Sequence, residues 1–171
     1  VLYVANKGSN QIGVYGVSYP SPSSVTLTPK SVPLPSLSGP MDVAVSPSEE
    51  VLYVANSGKY NGWYNVTAYP LDASGVPKPT LAAVISGNTT GLCNPAALVA
   101  FRSTDTANPG DTLVVANRES SGGSLTFYKL TPHGLPETPP VVSTDPTNIP
   151  PAVMMLHDSN NQLAAPVGIS F

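Results

Sequence analysis

The chain is 171 residues long with a formal net charge of -3; 41% of its residues are hydrophobic and only 10% charged, and it holds 20 prolines and 14 glycines. That length is enough to bury a core, and so many prolines and glycines leave no room for long helices, so an all-β chain is expected. No basic run marks a nucleic-acid footprint and no apolar stretch approaches the ~18 residues of a membrane span, so neither nucleic acid nor membrane insertion is expected.

In chain order the first element is Leu2-Tyr3-Val4-Ala5-Asn6, followed after a Lys7-Gly8 turn by Ile12-Gly13-Val14-Tyr15, an alternating strand ending in tyrosine. A proline-rich passage from Tyr19 to Ser24 leads to an expected outer strand at Val25 to Thr28 with Val32 to Leu34. The proline-led block Pro40-Met41-Asp42-Val43-Ala44-Val45 closes the cycle.

The cycle then repeats. Leu52-Tyr53-Val54-Ala55-Asn56 precedes Val66-Thr67-Ala68-Tyr69, an outer strand expected at Leu81 to Ile85, and Pro95-Ala96-Ala97-Leu98-Val99-Ala100-Phe101. The third copy runs from Leu113-Val114-Val115-Ala116-Asn117 through Leu125-Thr126-Phe127-Tyr128, an outer strand expected at Val141 to Ser143, and Pro166-Val167-Gly168-Ile169-Ser170-Phe171. Leu2 and Leu52 are 50 positions apart and Leu52 and Leu113 are 61, each about one four-stranded propeller blade. One segment with repeats 2–51, 52–112 and 113–171 is therefore expected, with the proline-led strand innermost in each blade. The asparagine ending each LYVAN block is read as satisfying turn backbone groups.

From Gly39 to Gly75 these residues resemble the YVTN and lactonase-like seven-bladed β-propellers, whose repeats follow P-x-x-[IVL]-x-[FV]-[ST]-P-[DS]-G-x-x-[LV]-Y-V-[AT]-N. The run Pro40-Met41-Asp42-Val43-Ala44-Val45-Ser46-Pro47 leading into Leu52-Tyr53-Val54-Ala55-Asn56 carries that pattern, with Ser48-Glu49 in place of the usual Asp-Gly. The resemblance implies about three four-stranded antiparallel blades, an incomplete ring completed by further sequence or by other subunits, since closed rings have roughly four to eight blades. It implies a scaffold shared by lactonases and by plain surface or adhesion modules, and so identifies no reaction.

The lactonase reading needs polar groups converging on a central channel; Asp42, Arg102 and Arg118 are the candidates, and no catalytic residue is assigned. His133 and His157 are read as solvated. The single cysteine, Cys93, has no Cys or His neighbours at ligand spacing, and Asp105, Asp111 and Asp158 are too dispersed for a calcium cage, so neither metal nor cofactor is expected. The insertion from Lys59 to Tyr64 presents Tyr60, Trp63 and Tyr64 as an interaction surface for a glycan or a neighbouring subunit. Asn65-Val66-Thr67 and Asn88-Thr89-Thr90 fit the N-glycosylation triplet. A chain opening directly at Val1-Leu2-Tyr3 reads as mature, processed or excised. The resulting expectation is a non-catalytic extracellular or cell-surface scaffold whose partners are other copies of itself or neighbouring blades of a larger chain. In a head-to-tail arrangement the Ile169 strand of one copy would lie beside Leu2 to Asn6 of the next, giving a ring or a filament. A lactonase-like hydrolase fragment and a glycan-binding propeller are the alternatives.

Overall fold

The computed structural model describes residues 1–30, 32–60, 62–86, 90–104, 110–119, 122–137 and 153–157. These residues are all-β and form three antiparallel sheets. Sheet I orders β1 (Leu2–Asn6), β2 (Gln11–Ser21) and β3 (Ser24–Pro29); sheet II orders β4 (Pro40–Val45), β5 (Val51–Tyr60), β6 (Trp63–Pro70) and β7 (Ala83–Ser86). Sheet III orders β8 (Pro95–Ser103), β9 (Gly110–Glu119), β10 (Gly122–Leu130) and β11 (Val153–His157).

The sequence repeat is reproduced in register. Leu2 lies opposite Tyr15, Leu52 opposite Tyr69 and Leu113 opposite Tyr128. The proline opening β4 or β8 pairs with the asparagine ending LYVAN, Pro40 with Asn56 and Pro95 with Asn117, and a bulge follows at once. A strand's first position tolerates a residue without an N–H, and the bulge sets the rest of the strand back into register.

Alternation along β5 decides how the sheets stack. Val51, Tyr53 and Ala55 enter one core cluster with Leu98, Leu113, Val115, Tyr128 and Leu130 of sheet III, whereas Leu52 and Val54 enter a second with Ile12 and Val14 of sheet I. Sheet II is thus covered on both faces, which is why LYVA is an unbroken apolar run instead of an alternating one. Each valine or leucine so buried contributes roughly 1.5–3 kcal/mol, and an aspartate at Val54, which is 0% exposed, would forfeit that and strand a charge between two sheets.

The expected outer strands are met as β3 and β7, although Val32 to Leu34 is irregular and unpaired. In sheet III the strand beside β10 is Val153–His157, in place of the expected Val141 to Ser143, which lies outside the described residues. The Pro166 to Phe171 block also lies outside them.

Candidate functional site

The polar ends of the repeated blocks knit each sheet to the chain that enters it. Asn56 is fully buried; its Nδ2 donates to Asn65 Oδ1 at 2.8 Å and Thr67 Oγ1 at 3.2 Å, while its Oδ1 accepts from the Ser38 N–H at 3.0 Å. Asn117 does the same one sheet on, donating to Thr126 Oγ1 at 2.8 Å and accepting from the Cys93 N–H at 3.1 Å. The Tyr69 hydroxyl donates to the Pro35 carbonyl, and the Tyr128 hydroxyl to the Thr90 carbonyl at 2.6 Å. Burial raises the pKa of both hydroxyls above the ordinary tyrosine value.

A second set of tyrosines hooks one sheet to the next. The Tyr3 hydroxyl of sheet I donates to the Gly75 carbonyl at 2.6 Å, and the Tyr53 hydroxyl of sheet II to the Gly134 carbonyl. Both acceptors are turn glycines at φ +74°, and a Cβ on Gly134 would meet the Ser46 Cβ at 2.5 Å. The Gly75 turn is fixed by Asp72, whose carboxylate accepts from the Val76 N–H, the Ser74 N–H and the Ser74 hydroxyl, holding its pKa below the usual value. The matching position in the third LYVAN block is Val114, which has no hydroxyl to donate. Sequence reasoning missed these hooks, though the shared Gly-x-Pro of Gly75-Val76-Pro77 and Gly134-Leu135-Pro136 was a usable signal.

Sheet I is the exception to the first of these devices. Leu52 and Leu113 are 0% exposed, yet their equivalent Leu2 is 40% exposed, and Val25 and Leu27 on β3 are exposed as well. Among the described residues the Asn6 side chain and the Tyr15 hydroxyl find no hydrogen-bond partner, and no described strand pairs with the outer edge of β1. An apolar face and a free edge therefore coincide, and such an edge is a template for strand addition.

The expected channel residues are not brought together. Asp42 is spent on backbone, one oxygen accepting from the Val43 N–H and the other from the Leu98 N–H of sheet III at 2.8 Å. Arg102 pairs with Asp111 at 2.8 Å, which raises the arginine pKa further. Arg118 sits at the far end of β9, seven residues or ~23 Å from Asp111, and its buried Nε has no hydrogen-bond partner among the described residues.

At the tip of the β5–β6 hairpin Tyr60 pairs with Trp63 through the backbone, Trp63 is 48% exposed, and Lys59 Nζ lies 5.4 Å from the centre of the Tyr64 ring. The acceptor Asn65 is 1% exposed and its amide oxygen accepts from Asn56, so a glycan on its Nδ2 would have to prise open the packing around it; Asn88 lies outside the described residues. His133 Nδ1 is 2.9 Å from Glu50 Oε2 on an exposed rim between sheets II and III, and His157 pairs through its backbone with Ser124. Among the described residues no cluster of His, Cys, Asp and Glu could hold a metal ion, and no helix is long and apolar enough to cross a membrane. Set against family models, curated proteins and solved structures, the chain matched none.

Proposed function

We propose that the three sheets are blades of a β-propeller-like arc of the YVTN type and that the chain is a non-catalytic extracellular scaffold that associates with further copies of itself, head to tail. The observation that carries this reading is the open face of sheet I. Leu2, Val4 and Tyr15 occupy the positions of Leu52, Val54 and Tyr69, which sheet II buries against its neighbour. A face patterned for a neighbour, and covered by none of the described residues, supports association. Low charge favours the same reading, since few charged groups oppose close approach of two copies.

Light scattering over a range of protein concentrations tests it. The expected result is a mass that grows in multiples of 17.6 kDa, and a single-chain mass at every concentration would overturn the reading. Glycan binding at the hairpin tip is a second reading, favoured by the exposed Trp63 beside the Lys59–Tyr64 pair. It expects saturable binding on a glycan array that Trp63→Ala abolishes, and unchanged binding would remove it.

A further inference from the structure

The edge of sheet I on the far side from β1 is β3, and no described strand pairs with it. All six of its residues, Ser24 to Pro29, are exposed, Val25 at 59% and Leu27 at 47%. Proteins blunt such an edge with charge, proline, brevity or a bulge. The strand in the same place on sheet II, β7, is four residues long. By contrast β3 carries no charge and no proline before its last position, and the irregularity in its pairing with β2 lies toward the turn, between Ser18 and Ser21. The Ser21 and Ser24 hydroxyls, 2.7 Å apart, tie the two strands together there. Lys30, the next residue after β3, folds back over its own sheet, its Cε 3.1 Å from where a Cβ on Gly16 would stand.

The hydrogen bond from the Lys30 N–H to the Val14 carbonyl at 2.7 Å sets the phase of this edge. Backbone groups of alternate residues point to the same side of an antiparallel strand. Lys30, Thr28 and Thr26 therefore turn theirs to β2, where Thr28 lies opposite Gly16 and Thr26 opposite Ser18. Val25 and Leu27 turn theirs outward, two N–H donors and two carbonyl acceptors. Side chains alternate as well, so Val25 and Leu27 share one face and Ser24, Thr26 and Thr28 the other. Ser-Val-Thr-Leu-Thr is thus symmetric about Thr26, both in residue class and in the direction of its backbone groups.

We propose that β3 pairs antiparallel with β3 of a second copy of this chain, across a two-fold axis at Thr26. Val25 of each copy then exchanges both backbone bonds with Leu27 of the other, four bonds in all, while Thr26 faces its counterpart and Ser24 faces Thr28. Apolar side chains meet on one face and hydroxyls on the other, the pairings that stabilise neighbouring strands. No like charges are brought together, because Lys30 falls opposite Pro22. Sliding the register either way brings in Pro29, which has no N–H, or Ser23 of the turn. A symmetric contact of this kind closes at two copies, so it is distinct from head-to-tail association and does not depend on it.

Five paired residues fall short of the ~1,200 Å² of a standard interface, so the dimer is weak and covalent trapping is its test. In a full-length Cys93→Ser background, Thr26→Cys puts two cysteines on the axis with Cα atoms ~4.5 Å apart, within disulfide reach. Oxidation is expected to give a covalent dimer on a non-reducing gel. Thr28→Cys, exposed on the same face, would lie four residues or ~14 Å from its counterpart and is expected to stay single-chain. Equal trapping of both variants, or of neither, overturns the proposal. Adding Leu27→Lys to Thr26→Cys places a charge on the paired edge and leaves the backbone bonds to β2 in place. It is expected to abolish the dimer band with the thermal midpoint of the dilute protomer unchanged, and an undiminished band would overturn the pairing. Growth of the unmodified chain beyond two copies tests head-to-tail association alone, so the two proposals fail separately.

Discussion

The three copies of the LYVAN asparagine offer one substitution in three environments. In Asn56→Ala the Ser38 N–H loses its acceptor and the buried Asn65 oxygen loses its donor, at 3.0 and 2.8 Å respectively. An unsatisfied buried polar group costs about 1–3 kcal/mol; with Ser38 partly buried, the two together come to about 3 kcal/mol. Asn117→Ala strands the Cys93 N–H and removes the donor to Thr126, for about 2 kcal/mol. Asn6→Ala removes no hydrogen bond, so its cost stays within about 0.5 kcal/mol, as for an ordinary surface change. Urea titration of the dilute protomer reads these values, since at a slope of about 1–3 kcal/mol per molar the Asn56 variant loses at least ~1 M from its midpoint. A cost at Asn6 equal to that at Asn56, or a loss at Asn56 under ~0.5 kcal/mol, would refute the account of the buried amide.

Tyr53→Phe leaves the Gly134 carbonyl without its donor and is expected to cost about 1–2 kcal/mol, more than Tyr3→Phe at the half-exposed hook on Gly75; matched thermal midpoints for the two would contradict the burial argument. Gly134→Ala combines left-handed strain of about 1–2 kcal/mol with a collision against Ser46, whereas Gly62→Ala, at φ +86° in open space, meets the strain alone. Equal losses in denaturant melts would mean that the Gly134 turn yields freely. The buried hydroxyls of Tyr53, Tyr69 and Tyr128 are all held above the ordinary value of 10.0 by burial. The unfolded chain ionises first, so their stabilisation is whole below pH 10 and is lost as the pH rises through the higher folded values. Denaturant midpoints that do not fall between pH 9 and pH 11 would show that these hydroxyls reach water.

Strand positions were legible wherever burial on both faces leaves a trace in composition. Leu52 to Ala55 reads as a strand because sheets press on it from two sides, and Tyr69 marks a register point because it sits opposite Leu52. The outer strand of sheet III was not legible. An edge strand packs on one side only, so little distinguishes Val141 to Ser143 from Val153–His157 as text. Asp42, Arg102 and Arg118 looked like a polar set because their residue types invite one, but charge carries no address; only the strand register shows that Arg102 faces Asp111 and that Arg118 lies at the other end of β9. Asn56 and Asn117 cap backbone groups as expected, whereas Asn6 caps none among the described residues, and the groups capped, Ser38 and Cys93, stand 18 and 24 residues away and carry no local mark.

The tyrosine hooks have a consequence for how such a chain tolerates change. Each hook lands on a backbone carbonyl, 72 residues onward for Tyr3 and 81 for Tyr53, so what must be kept is one hydroxyl and one left-handed glycine, whatever the length of chain between them. Inserted residues in the β5–β6 hairpin or ahead of β9 alter neither end of a hook. New surface can therefore be grafted onto these segments, by mutation or by design, without renegotiating the contact between neighbouring sheets.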